Sequence, residues 1–152
     1  SSKVSGETFV MLESDFPGAG EPRKELTPEE IPPLLMEALE NNDFPTIDAG
    51  LKSMWAFANE ETRHIFKHNI TEFIETAHET ANNVPISFYG TAMYGEAWEM
   101  VGTMLRVGGE SGWIATQLMQ TVSSDGRQRL WQWELRKERR PPQLGCWIVE
   151  GI

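Results

Sequence analysis

The sequence predicts an α+β fold in which N-terminal helices pack against a strongly curved antiparallel sheet, a cone or half-barrel. Two observations lead there. Apolar residues recur at three- and four-residue spacing through the first half of the chain, then alternate with polar residues from residue 86 onward. Glycines and hairpin signals separate the alternating runs, which are rich in Trp, Val, Ile and Thr. A chain of 152 residues has the size of one domain, so one core is assigned to residues 26–152, behind an arm over residues 1–25.

In that arm, Pro17, Gly18, Gly20 and Pro22 stand among acids, with one apolar patch at Thr8-Phe9-Val10-Met11-Leu12. No longer period is present, which predicts an extended segment whose patch lies against the domain or a neighbouring subunit. Thr27-Pro28-Glu29-Glu30 then joins a capping side chain, a first-turn proline and acids suited to a positive helix start. Leu34, Leu35, Ala38 and Leu39 fall on one face of that helix. Pro32-Pro33 interrupts it after one turn, and Asn41-Asn42-Asp43 with Pro45 closes it.

A second helix begins near Thr46 or Asp48 and carries Leu51, Met54, Trp55 and Phe57 on one stripe. Residues 60–67 form a further turn. Asn69 or Thr71 opens another helix, with Ile70, Phe73, Ile74 and Ala77 inward, stopped by Asn82-Asn83 and Pro85. Strands are expected at 86–94, 97–107, 112–122, 128–138 and 144–150, parted by Gly95, Gly108-Gly109-Glu110-Ser111, Ser124-Asp125-Gly126 and Pro141-Pro142. Asp125-Gly126 is the strongest local hairpin signal, since both positions tolerate positive φ. Beyond it, Trp131, Trp133 and Leu135 alternate with Gln132, Glu134 and Arg136, the pattern of a strand with one buried and one wet face.

The charge narrows the partners. Thirteen basic and twenty-three acidic side chains give a formal charge of -10, which repels nucleic acid and anionic membranes. The cationic run Arg136-Lys137-Glu138-Arg139-Arg140 contains an acid and reads as a solvated strand end. Cys146 is the only cysteine, so no intramolecular disulfide forms and a reducing compartment, cytoplasm or organelle, is expected. Between Gly145 and Trp147 it reads as a buried small hydrophobe. No apolar run reaches the length of a spanning helix. The start at Ser1-Ser2-Lys3 is compatible with a removed import peptide.

The two last strands carry a resemblance. Leu130-Trp131-Gln132-Trp133-Glu134-Leu135-Arg136 and Gly145-Cys146-Trp147-Ile148-Val149-Glu150-Gly151, with the helix-to-helix turn Asp43-Phe44-Pro45-Thr46, are similar to the nuclear transport factor 2-like superfamily, a cystatin-like cone. Within it, the closing strand resembles that of a branch with a Gly-Cys-Trp signature. The resemblance covers about residues 27–152. It implies a hollow between sheet and helices, used in some members for isomerase, dehydratase or hydrolase chemistry. Other members use the outer sheet for dimerisation or partner binding.

No constellation in the sequence carries a specific reaction. The candidates for an acid, base or donor in such a hollow are Asp48, Tyr89, Tyr94 and Glu134. Trp55, Trp98, Trp131, Trp133 and Trp147 are the expected pocket or core aromatics. His64 and His68, four apart with Glu60, Glu61 and Glu72 nearby, form the one candidate metal pair, but the glutamate of a His-Glu-x-x-His motif is missing. His78, beside Glu75 and Glu79, reads as a solvated partner of carboxylates. There is no glycine-rich phosphate loop and no nucleophile elbow. No cofactor is expected. A non-catalytic binding domain follows, acting on a protein partner, on itself through the sheet, or on an apolar small molecule. The alternatives are a small enzyme built on a buried carboxylate or tyrosine, and an accessory subunit of a larger organellar assembly.

Overall fold

The structure, a computed structural model, describes residues 20–152. The expected arm lies outside the described residues up to residue 19. Its last residues, 20–25, hold no helix or strand, only a turn in which Leu26 N–H donates to the Arg23 carbonyl at 3.2 Å. Helices come first and strands last, as α1 Ile31–Glu40, α2 Ala49–Phe57, α3 Glu60–Ile65, α4 Ile70–Asn83, α5 Phe88–Tyr94, then β1 Ala97–Val107, β2 Ile114–Val122, β3 Gln128–Lys137 and β4 Trp147–Gly151.

Thr27 starts the helical half through Glu30, whose carboxylate accepts from the Thr27 N–H at 3.0 Å and from its hydroxyl at 2.9 Å. One 3-10 turn, Pro28–Glu30, precedes α1. Pro32 and Pro33 then occupy the first turn of α1, where a missing N–H leaves no intrahelical bond unmade. Leu35, Met36 and Leu39 of α1 and Leu51, Met54 and Phe57 of α2 are buried against each other and the sheet. The two helices approach closely at Gly50, where a side-chain carbon would meet the Ala38 carbonyl.

One expected strand is a helix. The change to two-residue spacing at residue 86 places 86–94 in the sheet, yet Phe88–Tyr94 is helical. Ser87 caps it by accepting the Gly90 N–H at 3.0 Å, and the Thr91 hydroxyl donates to the Pro85 carbonyl at 3.2 Å. Phe88, Tyr89, Ala92 and Met93 then form an i, i+4 stripe packed in or against the core. A short apolar run fits either period, and here the serine cap decides it. The alternating pattern begins at Ala97, not at residue 86.

The four strands form one open antiparallel sheet in the order β1-β2-β3-β4. Gly126, at φ 83°, closes the β2–β3 hairpin, and Ser123 N–H donates to Arg127 O at 2.8 Å. The register is set by pairs such as Val101↔Leu118, Leu118↔Gln132 and Thr116↔Glu134. Between Val101 and Leu105 the β1 register shifts, with Gly102 at φ 71°, the kind of bulge that bends an edge strand. Trp133, Met119 and Leu135 face the helices and are fully buried. Among the described residues no helix is long and apolar enough to cross a membrane.

Candidate functional site

Two surfaces stand out, a polar cleft among the helices and the outward face of the sheet. The cleft is built on the turn between α1 and α2. Asn42 organises it, its carbonyl accepting from Gly50 N–H at 2.9 Å and its side-chain oxygen from Leu51 N–H at 2.9 Å. The Asn42 amide in turn donates to Asp48 Oδ1 at 2.9 Å, and Asp43 Oδ1 accepts from the Asp48 N–H at 2.8 Å. These bonds hold Asp48 in the left-handed region, at φ 60° and ψ 22°, a conformation that Asp and Asn tolerate better than most residues.

In that position Asp48 meets α4. Its Oδ1 lies 2.6 Å from Nε2 of His78, a short and charge-assisted contact. Burial pushes the Asp48 carboxyl upward, but the hydrogen bonds from His78 and Asn42 outweigh it, and the carboxyl ends below its ordinary value. The dyad borders a cleft of about 410 Å³ lined by Leu39, Glu40, Asn41, Asn42, Asp43, Phe44, His78, Met93 and Tyr94. Among the described residues no strand contributes to the lining, so this cleft is distinct from the space between sheet and helices.

The structure therefore brings two of the four sequence candidates to one place, while Tyr89 packs edge-on against Phe73 and Phe88 at 5.8 Å and 5.1 Å between ring centroids. Tyr94, half exposed at the end of α5, shares the cleft with His78, and Asp48 stands behind His78. Glu134 is elsewhere, exposed on the outward face of the sheet between buried Trp133 and Leu135. Sequence neighbourhood pairs His78 with Glu75 and Glu79, whereas its partner in the structure is Asp48. Thirty residues separate the two, and no local spacing signals a contact made by folding α4 onto the α1–α2 turn.

The tryptophans take several roles. Trp133, Trp131 and Trp147 are buried in the core. Trp131 Nε1–H donates to Thr121 Oγ1 at 2.8 Å, and Trp133 Nε1–H to Met119 Sδ at 3.4 Å. Trp98 packs against the core with its indole N–H buried and without a hydrogen-bond partner among the described residues. Trp55, also partly buried, stacks in a tilted geometry on Phe73 at 5.3 Å between ring centroids. The guanidinium of Arg63 sits 5.5 Å from the Trp55 ring while donating to the Trp55 and Ala56 carbonyls at 3.0 Å each.

His64 and His68 do not share a helix. α3 ends at Ile65, and His68 lies beyond it at φ 56°, exposed and 3.2 Å from the Glu60 carboxylate. Their ring centroids are 6.1 Å apart. Among the described residues no group of three or more His, Cys, Asp or Glu is arranged to hold a metal ion. Cys146 is buried and free, and burial raises its thiol pKa.

The second surface is the side of the sheet turned away from the helices. Leu105, Val107, Ile114, Leu118 and Leu130 are exposed there, with Val101 half-buried among them. Register makes the patch continuous, since Val101 stands opposite Leu118 and Val107 opposite Ile114. Along the outward positions of β1, β2 and β3 the only charged side chains are Glu99, Glu134 and Arg136. Comparison with protein-family models, with curated proteins and with solved structures finds no match for this chain.

Proposed function

We propose that this chain is a self-association domain of the nuclear transport factor 2-like type, in which two copies meet through the outward faces of their sheets. The observation that carries this reading is the patch of Leu105, Val107, Ile114, Leu118 and Leu130 on a face almost without charge. Contiguous apolar area of this kind is uncommon on monomers and marks contact surfaces. Its occupant follows from electrostatics. Two copies that each carry -10 repel over most of their surface. On β1, β2 and β3 the outward face carries two acids and one arginine, and that arginine, Arg136, is paired with Glu150 of its own chain at 3.1 Å, so this is where two copies approach at least electrostatic cost.

The helices-then-sheet order and the open antiparallel sheet agree with the superfamily reading. The lone buried thiol agrees with a reducing compartment. Sedimentation equilibrium of the wild type is expected to give a dimer at micromolar concentration, and Leu118→Glu a folded monomer by circular dichroism and sedimentation. A wild type that stays monomeric at the highest soluble concentration removes the proposal.

A further inference from the structure

We infer that the bulge in β1 composes the outward apolar face, and that Gln117 is the positioning residue that holds it. The inference rests on the association proposed above and names what sets its surface. On β1 and β2, Val101 stands opposite Leu118 and Leu105 opposite Thr116. Between those pairs β1 has three residues, Gly102, Thr103 and Met104, against Gln117 alone, so two residues are extra. A regular ladder continued from Val101 and Leu118 would set Thr103 opposite Thr116 and Leu105 opposite Ile114, and Val107 would pass the end of β2. The extra residues draw Leu105 and Val107 back beside Leu118 and Ile114 and take Thr103 out of the row. Leu105 and Val107, 70% and 62% exposed, are the most exposed apolar side chains of the patch. The bulge decides whether they join it.

Gln117 stands opposite Trp133 on the buried side of the sheet and is itself buried. A primary amide in such a place is costly unless it is hydrogen-bonded. Its Nε2 donates to the carbonyls of Leu118 at 2.9 Å, Val101 at 3.1 Å and Gly102 at 3.3 Å. Val101 and Gly102 are where the ladder is interrupted, so the side-chain amide bridges the gap.

Gly102 completes the arrangement. Its φ of 71° is in the left-handed region, and a side-chain carbon there would meet nothing within 4 Å. Backbone conformation, not packing, asks for glycine at this position. Past the bulge, Arg106 Nη2 donates to the Glu29 carboxylate at 2.6 Å, which ties the strand end carrying Leu105 and Val107 to the helical half. β1 is also an edge strand, and a bulge spoils the straight edge that an added strand would need. Association is thereby directed to the face of the sheet and away from its edge.

The test compares the wild type with Gln117→Met, Gly102→Val and Gly102→Asn, all as the full chain. Methionine keeps the side-chain length and removes the amide. Valine resists a positive φ, whereas asparagine tolerates it. Sedimentation reads the dimer dissociation constant, and NMR reads the cross-strand contact between Leu105 and Thr116. Gln117→Met and Gly102→Val are expected to weaken the dimer about tenfold or more and to lose that contact, while Leu118 still meets Gln132 across the β2–β3 ladder. Gly102→Asn is expected to keep both contact and affinity. Gln117→Met and Gly102→Val dimers as tight as the wild type overturn the inference, as does a lost contact without lost affinity, or Gly102→Asn weakened as much as Gly102→Val. Should Gln117→Met fail to fold, the two Gly102 variants decide. A wild type that forms no dimer is a separate outcome, which removes the association itself and the inference with it.

Discussion

Asp48 holds an unusual backbone conformation because three neighbours require it there. Asn42, Asp43 and His78 all bond to it, and each bond ties the α1–α2 turn to itself or to α4. Replacing Asp48 by Ala removes two acceptor contacts and places a β-carbon with no local hydrogen bond in the left-handed region, so a loss of roughly 1–3 kcal/mol is expected. Asp48→Asn tolerates the same dihedral angles and keeps an acceptor oxygen, and should lose less. Chemical denaturation of the two variants beside the wild type checks the order. The carboxyl also makes stability depend on pH. Its folded pKa is depressed, so its contribution is present above the unfolded value, near 3.9, and is lost as pH falls through the folded value. The gap between wild type and Asp48→Asn is therefore expected at neutral pH and should close below about pH 4. A gap that grows on acidification contradicts the assignment. In the core, Thr121→Val leaves the Trp131 indole N–H without its acceptor and should cost roughly 1–3 kcal/mol, measured the same way.

At the scale of elements, what the sequence makes legible is what is local. The Thr27 start, the Asn69 cap and the Asp125-Gly126 hairpin each depend on side chains within a few residues, and each lies where the spacing predicts. The alternation of Trp131, Trp133 and Leu135 with Gln132, Glu134 and Arg136 translates directly into the burial pattern of β3. The α5 segment is ambiguous for the same local reason. Seven residues rich in aromatics satisfy a strand pattern as well as a helical one, and the outcome turns on Ser87 and on packing against α1 and α4. Asp48 and His78 were not legible as a pair, since their contact depends on how α4 docks. Close approach of α1 and α2 likewise appears only in three dimensions. Gly50→Ala would drive a carbon into the Ala38 carbonyl and the Asn42 side-chain oxygen, and a cost of about 1–3 kcal/mol is expected, with the Asn42 amide signal shifted by NMR.

For the whole molecule, the burial of one face of each strand leaves the other face to be explained. Alternation in the sequence predicts that this face is wet, yet Leu105, Val107, Ile114, Leu118 and Leu130 stand on it among few charges. A strand pattern records which residues alternate and not whether the outward set is apolar enough to associate, which is why the patch emerges only when the register aligns three strands. The cleft at His78 and the outward face lie on different sides of the sheet, so the two can be tested separately. The most direct measurement on the association is an isotope-filtered NMR experiment on a mixture of labelled and unlabelled copies. Intermolecular contacts between methyl groups of Leu105, Val107, Ile114, Leu118 and Leu130 are the expected result. Contacts absent at these positions, or found instead at exposed helical and loop residues such as Ile47 and Ile65, would contradict it.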